Sequence, residues 1–326
     1  LPIIWQYMSV WFAGAVFVTV PMINNAAMRA DGDSMSPALI MTIVALINLV
    51  LDPLLIFGLL GFPRLEVQGA AIATIFANAC ALGVGLYINY FKKKLIINPL
   101  KLGFSTFGNS CKRLLFIAIP AGLTNTIQPL VNAFIFALLA KYGDEAIAAF
   151  GVVTRIEAFT FVILMALSTG MAPIIGQNWG AQKFDRVHQT LNIAINFSIV
   201  WSIFIAIALG LLGQFIAGLF SDNAEIIHYM VLFFWIVPFS YAFSNLVMGW
   251  GSAFNAMGMP QHSMLMIVVK MLVLMIPAVL IGEHYGDVTG IFMAIACVNV
   301  IAGTYFHITN WKKCLKKEDQ EILNTA

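Results

Sequence analysis

Apolar residues fill nine long segments of the chain, and polar or charged residues gather between them. Each segment is about 20 residues or longer, the length that an α-helix needs to cross a bilayer. The pattern predicts an all-α polytopic membrane protein with about nine transmembrane helices. The segments cover Ile3–Ala26, Ala38–Leu60, Val67–Phe91, Leu114–Ala140, Ala146–Ile175, Thr190–Phe220, Ile226–Ala253, Ser263–Ile281 and Val288–Asn310.

Composition excludes the soluble classes. Hydrophobic residues make up 61% of the 326 residues and charged residues only 10%, whereas soluble domains average about 25% charged residues. The net charge of +2 gives no reason to expect a nucleic-acid partner. The five histidines are scattered without metal-binding spacing, so no metal centre is expected.

The basic residues predict the orientation in the membrane. Thirteen of the 17 lysines and arginines fall in one set of loops, and only Arg64 and Lys141 fall in the other. The positive-inside rule places the first set, including the C-terminus, in the cytoplasm of a bacterium, with the protein in its inner membrane. Leu1 is then outside. We therefore expect an odd number of spans, three in the simplest case, to precede this chain.

The second segment carries an acid where lipid is expected. Asn48 and Asp52 lie one helical turn apart on the same face, and Pro53 favours a bend. A charged carboxylate inside a span costs roughly 2.5–3.5 kcal/mol. One interpretation is a small-cation site facing protein or water. The other is a helix end that is simply wetted by the headgroup region.

The chain contains an internal repeat. Ala27-Met-Arg-Ala30-Asp-Gly32 matches Ala253-Phe-Asn-Ala256-Met-Gly258, and Leu39 keeps the same register with Leu265. Further on, Gly69 and Asn78 match Gly290 and Asn299. The first three spans therefore resemble the last three, in the parallel manner of many transporters. The repeat puts Leu274 and Ala278 near the positions of Asn48 and Asp52, so a cation site is expected in the first lobe alone.

Several motifs together resemble the multidrug and toxic compound extrusion (MATE) family, in its prokaryotic branch. They are Met28-Arg-Ala-Asp-Gly-Asp33, Asn48-x-x-x-Asp52-Pro-Leu-Leu-Ile-Phe-Gly58, Gly69-Ala-Ala-Ile-Ala-Thr74 and Gly176-Gln-Asn-Trp-Gly-Ala181. The resemblance covers essentially the whole chain, from the fourth of the family's usual twelve spans to the last.

The resemblance implies a cation-coupled antiporter that exports organic cations by alternating access between two six-helix lobes. Its coupling ion is Na⁺ or H⁺, without another cofactor, and a monomer in lipid is expected. The family's first-lobe cation site maps onto Asn48, Asp52 and, on a commoner pattern, Thr74. An acid on the family's first span has no counterpart in this chain. The family's alternative acid on the seventh span is also missing, since Leu114–Ala140 contains no Asp or Glu.

The expected division follows from the repeat. Residues 1–91 are the last three helices of the N-terminal lobe, and 92–113 are a basic cytoplasmic linker. Residues 114–312 are a six-helix C-terminal lobe, and 313–326 are a cytoplasmic tail.

Other polar residues fall within the predicted spans. Asn125, Gln128 and Asn132 share one helical face, and Tyr241 and Asn245 form a similar stripe. Each stripe could line a substrate cavity or join helices by hydrogen bonds. Arg155, Glu157 and Lys270 could form a buried charge network, either a structural ion pair or a site that handles protons or substrate.

Three other classes of function fit the sequence less well. A lipid-linked oligosaccharide flippase of related architecture should place basic residues in its cavity to hold pyrophosphate, and only Arg155 and Lys270 qualify. An intramembrane enzyme is not expected, because the sequence has no His-Glu-x-x-His or Gly-x-Ser-x-Gly motif. A membrane scaffold would leave the Asn48–Asp52 pair unexplained.

Overall fold

The computed structural model describes the backbone of residues 2–96 and 104–325 and the side chains of residues 5–96 and 106–311. Every regular element in those ranges is a helix, as the sequence predicted. The chain divides into two compact units, Leu1–Phe107 (unit 1) and Gly108–Ala326 (unit 2).

Unit 1 contains four α-helices. They are α1 (Pro2–Ala13), α2 (Ala15–Ala30), α3 (Met35–Phe57) and α4 (Glu66–Tyr87), which continues into a π-helical turn at Ile88–Lys92. The first predicted segment is therefore not one straight helix. Residues 5–13 and 15–30 are bent by 52° at Gly14, and Ile75 of α4 occupies the space that a side chain at Gly14 would need.

Helices α3 and α4 form a tight antiparallel pair. Helix α3 runs through Pro53 and ends at Gly58, whose positive φ of 72° suits a residue without a side chain. At that end, the Leu65 amide donates to the Leu55 carbonyl over 2.9 Å. At the other end, Val44 packs in the same small core as Ala77.

The other seven α-helices of the described residues belong to unit 2. They are α5 (Phe104–Leu139), α6 (Asp144–Gly180), α7 (Phe184–Phe220), α8 (Ala224–Ile236), α9 (Tyr241–Ala256), α10 (Pro260–Val268) and α11 (Ile276–Thr325). The first four residues of α5 belong to unit 1. A π-helical segment, Val269–Met275, joins α10 to α11. The predicted seventh segment is divided into α8 and α9 by a 3₁₀ turn that begins at Pro238, where proline supplies no backbone donor.

The number of spans agrees with the sequence once two irregularities are included. Seven of the described helices are long and apolar enough to cross a membrane, and the bent α1–α2 pair gives an eighth. The last of the seven, Pro260–Trp311, has non-helical dihedrals at Gly286 and Asp287. This break in α11 separates the eighth predicted segment from the ninth.

Two helices run past predicted domain boundaries, and the division itself stays a prediction. Helix α5 begins at Phe104, inside the predicted linker 92–113, and α11 continues to Thr325, through the predicted tail 313–326. Hydropathy marks the part of a helix that is in lipid, whereas lysines and glutamates extend helices readily outside it. Residues 97–103 of the linker lie outside the described residues.

Two apolar clusters make up the core of unit 2. The larger is centred on Phe150, Phe233 and Phe292, whose ring centroids are 5.2–6.4 Å apart. The smaller surrounds Trp250 and Ile175. Helices α6, α9 and α11 each contribute residues to both clusters. On each helix, polar residues lie between the residues of one cluster and those of the other. Unit 2 therefore has a polar layer between two apolar layers.

Candidate functional site

Asn48 and Asp52 lie one turn apart on α3, and both are partly buried. The Asn48 Oδ1 and Asp52 Oδ1 atoms are inaccessible to solvent, yet neither has a hydrogen-bond partner among the described residues. Leaving a buried acceptor unpaired costs about 1–3 kcal/mol, and more for a charged group. Two such oxygens on one face of a spanning helix are suited to a proton or a small hard cation.

Thr74 lies on α4 at the depth of the Asn48–Asp52 turn. The antiparallel pairing brings Leu55 beside Gly69 at one end and Val44 beside Ala77 at the other, and Thr74 falls between those levels. Its hydroxyl donates to the Ala70 carbonyl over 2.9 Å, so a lone pair of that oxygen remains available. The structure gives no hydrogen bond from Thr74 to Asn48 or Asp52.

Three buried asparagines of unit 1 were not anticipated. Asn89 donates to the Oδ1 of Asn24 over 3.4 Å. Asn25, the residue after Asn24, is also buried. The Asn24 Nδ2, Asn25 Oδ1 and Asn89 Oδ1 atoms have no partner among the described residues. Their one signal in the sequence was the presence of amide side chains inside apolar segments.

The predicted substrate stripes have different surroundings. Asn125 and Gln128 are exposed on α5, and Gln128 donates to the half-buried Asn132 over 3.5 Å. Tyr241 and Asn245, by contrast, are 1% and 4% exposed inside unit 2. Asn245 lines a small cavity with Met171 and Trp250, whereas Tyr241 is part of the larger apolar cluster. A role of these two residues in lining a substrate cavity stays a prediction.

The predicted charge network is only partly present. Lys270 is buried, and its ammonium donates to the Ser244 hydroxyl over 2.8 Å. Glu157 interacts with both Tyr241 and Lys270. Arg155 is exposed on α6 and is outside this group, because two residues along a helix turn a side chain to a different face. Including Arg155 in a buried network was therefore wrong.

An ion-pair cluster joins the α2–α3 turn to Lys93, which follows the π-helical turn at the end of α4. The Lys93 ammonium is 2.8 Å from an Asp31 carboxylate oxygen and 3.1 Å from Asp33. Asp33 also accepts from the backbone amide of Ser36 over 2.9 Å and from its hydroxyl over 2.7 Å. These bonds, led by the Ser36 amide, lower the pKa of Asp33 to about 2. The two carboxylates raise the pKa of Lys93.

This ion-pair cluster predicts that the stability of the folded protein depends on pH. Because the pKa of Asp33 is lower in the folded protein than its unfolded value of about 3.9, its contribution is complete above that value and is lost as the pH falls through about 2. Asp33→Ala should lower the melting temperature of the purified protein at pH 6, and the difference should narrow toward pH 2. Asp222→Ala, at an exposed aspartate, is the control. A difference that does not change with pH would contradict the assignment.

Sequence comparisons point to a single family. The MatE family model matches residues 120–281. The FAD transporter of Shewanella oneidensis is 37% identical over 303 residues, which are 93% of this chain and 67% of that protein. The multidrug export protein MepA of Staphylococcus haemolyticus is 30% identical over 225 residues, which are 68% of this chain and 48% of MepA. The chain thus spans only about half to two thirds of these relatives.

Structural comparison agrees. The Vibrio cholerae MATE transporter VcmN, in a crystal structure of an aspartate-to-asparagine mutant, matches 95% of this chain and 69% of its own with a TM-score of 0.88 at 27% identity. The bent form of VcmN matches with a TM-score of 0.87. The fold described above is therefore shared with solved transporters along nearly its whole length.

Proposed function

The chain belongs to the MATE family of membrane transporters, and from this premise we propose that it exports an organic solute in exchange for Na⁺ or H⁺ bound at Asp52. The observation that carries the proposal is the pair of buried, unpartnered oxygens of Asn48 and Asp52 within a spanning helix. One monovalent cation would neutralise the carboxylate, while the Asn48 carbonyl and the Thr74 hydroxyl offer it neutral oxygen ligands.

The coupling follows from the energetics of that carboxylate. A bare charge in a low-dielectric interior is costly, so the state that buries Asp52 is stabilised when a cation is bound. The solute would stabilise the other state, in which Asp52 has no bound cation. A cation and a solute that prefer different states drive each other's transport by alternating access. Coupling therefore requires no direct contact between them.

Two classes of solute are to be distinguished. Organic cations are the first, because MepA is named a multidrug export protein. Flavin dinucleotide is the second, because the relative named FAD transporter aligns with 93% of this chain. Arg155 favours the second class: it is exposed on the spanning helix α6, and a guanidinium suits the bidentate recognition of phosphate oxygens. The lipid-linked flippase would use the same chemistry and remains the alternative.

The test uses everted membrane vesicles that contain the full-length protein. Uptake of FAD and of ethidium is followed under a Na⁺ gradient and, separately, a pH gradient, each with the higher cation concentration inside. We expect uptake of at least one probe under one gradient, and its loss when the gradient is collapsed. Absence of uptake of both probes under both gradients would contradict coupled export.

Arg155 separates the two classes of solute. Arg155→Gln should reduce FAD uptake about tenfold, the equivalent of one lost charged contact of about 1.4 kcal/mol, and should spare ethidium. Arg186→Gln, outside the predicted spans, is the matched control. Equal FAD uptake by Arg155→Gln and the parent would remove Arg155 from the solute site.

A further inference from the structure

A buried ammonium and a carboxylate in unit 2 each have a partner on the same helix, α9. Lys270, on the π-helical segment, is 3% exposed and donates to Ser244 of α9 over 2.8 Å. Tyr241, one turn before Ser244 on the same helix, is 1% exposed and interacts with the carboxylate of Glu157 on α6. Because residues three apart share a helical face, Tyr241 and Ser244 lie on the same side of α9.

Apolar residues surround both groups. On α6, Glu157 lies at the level of the larger cluster, between Val153 and Phe161. Lys270 lies between Met266 of the smaller cluster and Met271 of the larger one. Among the described residues, Lys270 is the only fully buried lysine, arginine, aspartate or glutamate. Its charge is therefore compensated locally by Glu157 or remains uncompensated.

Lys270 and Glu157 do not form a direct ion pair. The described ion pairs with nitrogen–oxygen distances up to 4.0 Å do not include Lys270 with Glu157, although the two charges interact electrostatically. The remaining polar groups of the layer are neutral: Asn299 donates to Ser240 over 2.9 Å, and Asn245 has an unpartnered Oδ1. Lys270 and Glu157 are therefore the ionisable groups of this region that face each other.

The internal repeat allows equivalent positions of the two units to be compared. In the register that matches Leu39 with Leu265, Lys270 corresponds to Val44, one turn before the position of Asn48. Unit 1 therefore presents unpartnered oxygens on this helix, whereas unit 2 presents an ammonium carried by the chain itself. A π-helical segment at this point, of a kind often found at functional sites, places the lysine inside the layer.

We propose that Lys270 is a tethered cation, which permanently occupies in unit 2 the kind of place that an exchangeable cation occupies in unit 1. Its side chain fills a site for a small alkylammonium ion, with Ser244 as the direct acceptor and Glu157 as the balancing charge. Since the ammonium nitrogen cannot leave, unit 2 binds no exchangeable metal cation at this place, and we assign ion exchange in the transport cycle to Asp52. This last step rests on the proposed function; the site itself does not.

The proposed ammonium site can be tested by removing the Lys270 side chain that fills it. Lys270→Ala removes three methylenes and the ammonium, and n-propylammonium has the same atoms. The melting temperature of purified Lys270→Ala should rise with n-propylammonium chloride, by several degrees more than with choline chloride at equal concentration. The parent should show no such difference, and neither should Lys270→Ala/Glu157→Gln, which lacks the balancing charge. No selective rise in Lys270→Ala would overturn the tethered-cation proposal.

A second variant covers the case in which Lys270→Ala does not fold. Lys270→Met/Glu157→Gln removes both charges and keeps both shapes, so it should fold and retain gradient-driven uptake within about threefold of the parent. Each single substitution should reduce uptake more than tenfold. Loss of gradient coupling in the double variant, with solute exchange intact, would show that the pair itself exchanges an ion and would overturn the proposal.

The two proposals fail in distinguishable ways. Absence of gradient-driven uptake by the parent protein contradicts coupled export, whereas the n-propylammonium measurement needs no transport. Asp52→Asn should leave the n-propylammonium effect on Lys270→Ala unchanged, because Asp52 lies in unit 1 and the tethered cation in unit 2.

Discussion

Asp52→Asn should abolish gradient-driven uptake while the protein still inserts and folds. Asparagine has nearly the same shape as aspartate, so packing on α3 is preserved, but it neither carries a proton nor neutralises a cation. A ligand shifts an equilibrium only by its differential affinity for the two states. Without a cation-binding carboxylate that difference disappears, and we expect uptake under either gradient to fall more than about tenfold, the result of losing 1.4 kcal/mol or more.

The measurement compares everted vesicles that contain equal amounts of parent, Asp52→Asn and Asp222→Asn protein. Asp222 is exposed in the turn before α8, so its substitution controls for the loss of one carboxylate and should have no effect. Uptake by Asp52→Asn at the level of the parent would refute the assignment of the coupling site to α3.

Asn48 distinguishes the coupling ions. A proton needs only the Asp52 carboxylate, whereas Na⁺ needs several oxygen ligands. Asn48→Leu removes the second unpartnered oxygen of the site. If the ion is Na⁺, the Na⁺ concentration for half-maximal uptake should rise about tenfold; if it is H⁺, uptake under a pH gradient should remain. A variant with unchanged kinetics under the Na⁺ gradient would exclude Asn48 as a ligand.

The candidate site on α3 could be proposed from the sequence because polar residues are rare in so apolar a segment. An acid and an amide one turn apart in a long apolar segment stand out in any sequence, and the described structure places both on one helix with buried, unpartnered oxygens. Thr74 was less predictable, because threonine is common in spans and its depth depends on how α4 pairs with α3.

Burial in unit 2 was not predictable from helical faces. Residues three and four apart share a face, and the sequence grouped Tyr241 with Asn245 correctly on that basis. Which way a face points depends on the neighbouring helices, and here both side chains are buried inside unit 2. Arg155 and Glu157 illustrate the same limit: two residues apart in sequence, one is exposed and the other reaches the polar layer.

Irregular backbone was partly predictable. Pro238 interrupts the seventh segment as proline should. The π-helical segments at Ile88–Lys92 and Val269–Met275 had no such signal, because a π-turn needs no special residue and is selected by tertiary packing. Both segments nevertheless carry a buried polar residue, Asn89 in one and Lys270 in the other.

Gly290→Ala should strongly destabilise the helical hairpin of α11. Gly282 and Gly290 lie on the two arms on either side of the Gly286–Asp287 break, and each approaches the carbonyl group of the other. A Cβ atom at Gly290 would be 2.6 Å from the Gly282 carbonyl carbon. Since the obstacle is backbone, the arms must separate, at a cost of about 1–3 kcal/mol or more.

The same contact occurs in unit 1, where a Cβ at Gly69 would be 2.6 Å from the Leu55 carbonyl oxygen. Gly69 and Gly290 are equivalent in the repeat, so Gly69→Ala should have the same effect on the α3–α4 pair. Gly210→Ala is the control, because Gly210 lies within α7 with nothing within 4 Å of its added Cβ. There alanine should be neutral or stabilising, by up to about 1 kcal/mol.

Thermal unfolding of the three purified variants decides between close packing and simple helix propensity. Close packing lowers the melting temperatures of Gly69→Ala and Gly290→Ala, whereas propensity raises all three. A further consequence follows for transport, because the Leu55–Gly69 contact sets how α4 approaches α3 near Asp52. Gly69→Ala should therefore weaken cation coupling as well as stability, whereas Gly290→Ala, in the unit without an exchangeable ion, should reduce stability alone.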